Sequence, residues 1–414
     1  MDSRTRTRAR IGGAVAAAFA AVAGTLAGAS AAGAAGGLPF SHVERVAHGV
    51  RLAQFTVTAS HGSVTGYLLT ADLSDPRVRV GLLTPGAVAA RATVSQLADA
   101  AGAVGAVNGD FFNISEEHPG VTPTGSSDGP EIAAGRALKA AVPDSQRFGP
   151  ALPPGETTRD VIGVGIDRRA RLDTLTLAGR VRTRGGDVPL SGYNQYALPQ
   201  GGIGAYTSDW GDVSRERAVC GSDTSRAAGC ATDTYEVAVR GGRVVSTAPA
   251  PGAGAVPRGT TVLVGRDTGA DTLRGLRIGD RAEVSEHLAA GTGRTRFTFA
   301  VGGFPVLRDG SPLAGLDTAT AATRTAAGYG DHGRTFYLLA LDGDAESDAG
   351  LTVAEVADLM RRAGADDAVN LDGGGSTTLV TRNPGAPAST VRNHPSGTAE
   401  RPVANAIGVL SAGR

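Results

Sequence analysis

One short run concentrates polar chemistry: Asp372-Gly373-Gly374-Gly375-Ser376-Thr377, with Asn370 two residues ahead of the aspartate. A carboxylate in such a loop can act as acid, base or nucleophile. Glycines let successive backbone N–H groups converge on an anion or a sugar oxygen, so Gly373, Gly374 and Ser376 are candidate binding positions. The plain alternative is a tight turn capped by an aspartate. A second run, Asn108-Gly109-Asp110-Phe111-Phe112, joins two polar groups to two aromatics. Aromatics beside carboxylates suit sugar rings, although phenylalanine is more often core. Arg324 sits in a mostly uncharged stretch, Ala-Thr-Arg-Thr-Ala. A guanidinium there could grip a phosphodiester with two parallel hydrogen bonds, or simply pair with a nearby aspartate.

Other chemistries lack their residues. The seven histidines are scattered, and no H-E-x-x-H pair occurs. There is no G-x-S-x-G nucleophile turn. The Gly373–Ser376 run lacks the Gly-Lys-Ser/Thr ending of a nucleotide loop. Acidic and basic residues cancel at 40 each, so no basic footprint for nucleic acid exists.

The elements that must carry these residues are legible. Thr93 and Gln96 fit a capping box ahead of a helix to Ala101, with Val94, Leu97, Ala98 and Ala101 on one face and Gly102 as its stop. A short apolar strand, 103–107, then leads to Asn108. The same order returns near the C-terminus. Thr352 and Glu355 form a second capping box, Gly364 ends the helix, and a strand at 368–371 leads to Asp372. Helix, glycine, strand and an Asn-x-Asp tip thus occur twice, which predicts that Asn108 and Asp372 face one pocket. Strands are also expected at 66–70, 78–83, 260–264, 281–288, 297–307 and 335–341, with a hairpin around Gly241-Gly242. The fold class read from this pattern is α+β, a strand-rich mixed sheet with a few helices.

The first residues read as an export signal. Arg4, Arg6, Arg8 and Arg10 precede an apolar, small-residue run, and Ala29-Ser30-Ala31 offers a cleavage site. A secreted, extracellular protein without a membrane span after processing is expected. In that compartment the only two cysteines, Cys220 and Cys230, should form a disulfide.

Six segments then take on a joint meaning. Val-Asn-Gly-Asp-Phe-Phe-Asn (107–113), Gly-Gly-Phe-Pro-Val-Leu-Arg-Asp-Gly (302–310), Thr-Arg-Thr-Ala-Ala-Gly (323–328), Gly-Leu-Thr-Val-Ala-Glu-Val-Ala (350–357), Asn-Leu-Asp-Gly-Gly-Gly-Ser-Thr-Thr (370–378) and Arg-Pro-Val-Ala-Asn-Ala (401–406) occur in this order. Together they resemble the phosphodiester glycosidase family, over roughly Val104 to Leu410, with a weakly matching stretch at about 150–295. The resemblance implies a hydrolase that cleaves a sugar–phosphodiester at the glycosidic bond, acting on a sugar phosphodiester or envelope glycan. It carries over Asn108, Arg324, Asp342, Asn370, Asp372 and Ser376 as the matching polar positions. Asp110 departs from the family pattern, as does Asp344. Asp372 is the first choice for the catalytic carboxylate, Asp342 the second, and Arg324 the group for the phosphate. Asn108, Asp110, Asn370, Gly373, Gly374 and Ser376 are the candidate binding residues.

The expected organisation is a signal peptide at 1–31, a linker and N-terminal strand region at 32–90, and the glycosidase domain at 91–412. No cofactor is required on this reading. Two rivals remain open. One is a phosphodiesterase cutting P–O with a divalent cation on Asp342, Asp344 and Asp110. The other is a non-catalytic module that binds envelope glycan.

Overall fold

A computed structural model describes residues 37–412, apart from 294, 344–348 and 398. The export signal and Asp344 therefore lie outside the described residues. Alternating β-branched and polar residues build strands along nearly the whole chain, and these assemble into four sheets rather than the one mixed sheet expected. The pairings are antiparallel except for the two-residue contact of Gly192–Tyr193 with Ile203–Tyr206.

Two of the sheets position the candidate residues. The larger has eight strands. From one edge these are Phe40–Ala47, Val50–Ala59, Gly62–Asp72, Thr335–Leu341, Thr325–Gly330, Asp367–Asn370, Phe304–Arg308 and Ser311–Pro312. The other has five: Thr390–Val391, Leu379–Thr381, Gly105–Asn108, Ala406–Ser411 and Val78–Leu83. Gly62–Asp72 and Val78–Leu83 thus pair directly with strands from the C-terminal half. A run expected as one strand, 297–307, divides at Gly303 into Phe297–Gly302 and Phe304–Arg308, which join different sheets. A side chain at Gly303 would strike Val369, so the chain can pass between the sheets only without one.

Both expected capping boxes form. Thr93 caps Val94–Ala101 and Gly102 closes that helix in the left-handed conformation, φ 66°. Thr352 caps Val353–Arg362. The buried stripe Val353, Val356, Ala357, Leu359 and Met360 packs with Val306, Leu307, Ala326, Leu339 and Leu341 of the large sheet. Burying each large aliphatic side chain there contributes about 1.5–3 kcal/mol. A further helix, Thr268–Arg274, was not foreseen. It is one of three α-helices among the described residues, and its seven residues, of which Ala270 and Leu273 are the buried apolar ones, are too few to show an apolar period. The hairpin Thr234–Arg240 to Arg243–Ala248 turns on Gly241 and Gly242, both at positive φ (58° and 72°), as a two-residue turn demands. The described residues make up one compact unit, and no described helix is long and apolar enough to cross a membrane.

Candidate functional site

The two Asn-x-Asp tips meet. Gly105–Asn108 is the central strand of the five-stranded sheet and Asp367–Asn370 an interior strand of the eight-stranded one, and each tip begins at the last residue of its strand. The Asp372 amide donates to the Gly109 carbonyl at 3.0 Å. Asn108 Nδ2 donates to the Asp372 carbonyl at 2.6 Å. Asn108 Oδ1 accepts from Thr325 Oγ1 at 2.8 Å and from the Thr378 amide at 3.1 Å. Asn108 is fully buried, so it is a clamp between sheets rather than the sugar-binding residue expected. Gly109 allows that clamp: a side chain there would overlap the Asn405 side chain.

Asp110 is likewise withdrawn from a substrate. Its oxygens accept from the amides of Phe111 (2.8 Å) and Gly129 (2.6 Å), and only 2% of the residue is exposed. Burial, reinforced by Asp128, holds its carboxyl well above the usual range. It shares this interior with Asp128, Glu131 and the chain's single lysine, Lys139, whose ammonium donates to the carbonyls of Asp128, Gly129 and Ala140. Phe111 stacks on Phe304 with ring centroids 4.8 Å apart, both buried, and Arg147 lies over the Phe304 ring at 5.0 Å. The two phenylalanines of this tip are therefore core, not an open sugar platform.

The second tip is built differently. Asn370 has Phe304 and Ala326 as its cross-strand partners, so the three share one face of the large sheet. It is fully buried, yet among the described residues neither its side-chain nitrogen nor its oxygen has a hydrogen-bond partner. Such a group costs about 1–3 kcal/mol and calls for an explanation. Two residues on, Asp372 is only partly buried. Burial pushes its carboxyl up to about 6, against the hydrogen bonds of the Ser376 hydroxyl and Gly373 amide and the charge of Arg401.

The glycine run does not form the converging nest of N–H groups anticipated. Gly373 donates to the Asp372 carboxylate at 2.9 Å, Gly374 to the Thr323 carbonyl at 2.7 Å, and Ser376 to the Gly373 carbonyl at 3.1 Å. The glycines instead permit close approach. A side chain on Gly373 would meet the Thr323 carbonyl at 2.6 Å, one on Gly375 would overlap the Arg401 guanidinium, and Gly374 has φ 57°. Ser376 is buried and accepts from Arg401 Nη1 at 3.3 Å.

Arg401 is thus the cation whose charge acts on Asp372, a position that the sequence reading quoted in a motif without giving it a role. Arg324 is nearby along the backbone but committed elsewhere. Its Nε donates to the Leu351 carbonyl at 2.9 Å and Nη2 to the Thr320 carbonyl at 2.8 Å, and Nη1 has no hydrogen bond among the described residues. Asp342, at the end of Thr335–Leu341, accepts from the His394 ring at 3.0 Å and from the His394 amide. The segment around His394 crosses the mouth of the glycine run, where Ser396 Oγ donates to Thr323 Oγ1 at 3.1 Å and to the Gly374 carbonyl at 3.4 Å.

Farther off, Cys220 and Cys230 form the expected disulfide. These two sulfurs and His118 are the one cluster of three metal-ligating side chains among the described residues, and the disulfide occupies both sulfurs. The cation set Asp342, Asp344 and Asp110 gains no support, since both Asp110 oxygens are already bonded to amides.

No curated protein matches this chain. Solved structures share its fold, among them two that align over most of this chain. One is a hypothetical protein from Synechocystis, with TM-score 0.68 and 20% identity over 88% of this chain and 62% of that one. This chain therefore spans less than two thirds of that relative's length. The other, a protein of Burkholderia pseudomallei K96243 named as a candidate exported protein, has TM-score 0.64 and 23% identity over 84% of this chain and 74% of its own. The zebrafish N-acetylglucosamine-1-phosphodiester alpha-N-acetylglucosaminidase catalytic domain, auto-inhibited by its pro-peptide, aligns at TM-score 0.43 and 15% identity over 89% of this chain and 83% of its own, too loosely to add weight. A family model matches 233–410, which excludes the Asn108 tip but includes Arg324, Asp342, Asp372 and Arg401. Over residues 233–410, then, this chain is similar to the phosphodiester glycosidase family.

Proposed function

We propose that the protein is a secreted hydrolase that breaks the bond between an anomeric carbon and a phosphodiester oxygen, with Asp372 as the carboxylate at the reacting carbon. The observation that carries this reading is the state of the second tip. A partly buried carboxyl pushed up to about 6 feels the charge of Arg401, which donates to Ser376 of the same loop, and lies two residues from a buried amide with no partner among the described residues. The match at 233–410 supports the same chemistry.

The chemistry asks little of a general acid, because a phosphodiester oxygen leaves as a weakly basic anion. It asks instead for positive charge near that oxygen, which Arg401 and Nη1 of Arg324 can supply. Asp372 then acts at carbon, either as nucleophile or as base on water. Its ionised form is the competent one in both roles. Extracellular location follows from the export signal and fits the disulfide.

The test is a mass-spectrometric screen of the purified protein against nucleotide sugars, simple sugar 1-phosphate diesters and teichoic-acid fragments, with and without chelator. Free sugar and a phosphomonoester, formed equally well with chelator, support the reading. Turnover abolished by chelation favours the metal-dependent phosphodiesterase, and glycan binding without turnover favours the binding module.

A further inference from the structure

We propose that His394, oriented by Asp342, is the general base that activates water in this site. The inference rests on the glycosidase reading above and assigns a residue that the sequence motifs did not single out. Asp342 Oδ1 holds His394 twice, through its backbone amide and through ring Nδ1 at 3.0 Å. With Nδ1 engaged by a carboxylate, the ring presents Nε2 outward, and no hydrogen bond among the described residues engages that nitrogen. The carboxylate is mostly buried (14% exposed) while the imidazole is open (82% exposed), so the anchor is fixed and the reactive edge is accessible.

The neighbours on either side pin this ring to the Asp372 loop. Asn393 Nδ2 donates to the carbonyls of Leu341 (3.1 Å) and Thr377 (3.0 Å), and its Oδ1 accepts from the Leu379 amide at 2.8 Å. Ser396 reaches Thr323 and Gly374. The Gly343 amide donates to the His394 carbonyl at 2.7 Å, and a side chain at Gly343 would overlap Ser396. An ordinary surface histidine has no such tie to two strand ends and the glycine run. Here the tie delivers one acid–base group to the rim of the loop that starts at Asp372.

In the step proposed, Nε2 accepts a proton from water as the water oxygen bonds to the anomeric carbon. The sugar has by then been transferred to Asp372, the phosphomonoester having left with the electron pair of the first C–O bond, and the bond that water breaks returns its electron pair to the Asp372 carboxylate. The proton on the imidazole then returns to solvent, leaving free sugar and a phosphomonoester. Asp342 is a positioning residue: it fixes the tautomer and the direction of the ring.

The experiment compares wild type, His394→Ala and Asp342→Asn on whichever member of the substrate panel the wild type hydrolyses fastest, with and without added imidazole. His394→Ala should lower kcat by about 100-fold or more with little change in KM, and imidazole should restore part of the loss. Asp342→Asn should lower kcat less, without imidazole rescue, since its histidine is still present. A kcat for His394→Ala within about two-fold of wild type, or a loss that imidazole leaves untouched, overturns the proposal while the glycosidase reading stands. A wild type that hydrolyses no panel member removes both.

Discussion

The two tips were written with one pattern and came to opposite ends. Each follows a capped helix, a glycine and a short strand, and each presents Asn-x-Asp. At the first, Asn108 fills its hydrogen bonds with three groups of the protein, and Asp110 is closed over by two amides. At the second, Asn370 has no partner among the described residues and Asp372 keeps access to solvent under the charge of Arg401. A polar residue that satisfies itself internally belongs to the scaffold. One that a fold keeps buried and unmet, next to a carboxyl of shifted acidity, marks a site. The first tip also supports the second, because Asn108 holds the Asp372 carbonyl directly.

The largest effect expected from this contrast is on turnover. Asp372→Asn should remain folded and lose at least about 1000-fold in kcat, whereas Asp110→Asn should cost stability far more than rate. Because Asp372 must be ionised, wild-type kcat/KM should fall as pH drops below about 6, the value to which burial raises its carboxyl. Near-full activity in Asp372→Asn would reduce that residue to a turn former and make Asp342 the first candidate.

The next effect is on stability, with opposite signs at the two asparagines. Asn108→Leu strips partners from the Thr378 amide and the Asp372 carbonyl and should cost about 2–5 kcal/mol. Asn370→Leu removes a polar group with nothing to lose, and should be neutral or gain about 1–3 kcal/mol. Urea unfolding of the two variants decides this, and equal destabilisation of both would erase the distinction between the tips.

How much of this could be read in the sequence depends on range. Local signals were legible: both capping boxes, the Gly241-Gly242 hairpin and the disulfide rest on neighbours along the chain, and the meeting of the tips was inferred from a local pattern that occurs twice. Contacts between distant segments were not. Nothing in the order of residues says that Arg401 lies on Gly375, or that Asn393 and Ser396 tie His394 to the loop after Asp372. Nor does a run of three glycines announce whether it gathers N–H groups around an anion or merely lets backbones pass. Here the glycine run lets Thr323 and Arg401 come close. The split at Gly303 was hidden for the same reason, since an apolar run looks alike whether it serves one sheet or two.

A smaller effect is expected on thermal stability with pH. Burial pushes Asp128 up to about 7 and Asp160 and Asp372 to about 6. A carboxyl raised in the folded state stabilises the fold below its unfolded value, and that stability is lost as pH rises through the folded value. Melting temperature should therefore decline by a few degrees between pH 5 and pH 8. Asp372→Asn should soften the decline slightly, because one of the three contributions is gone. A melting temperature that climbs over this interval would contradict the assignment of these carboxyls.

The central claim is that the reaction occurs at carbon, and isotopic labelling addresses it without reference to any variant. Hydrolysis of a panel substrate in oxygen-18 water, followed by mass analysis of both products, should place the label in the sugar and leave the phosphate unlabelled. Label in the phosphate would mean that the P–O bond breaks, and would contradict the account.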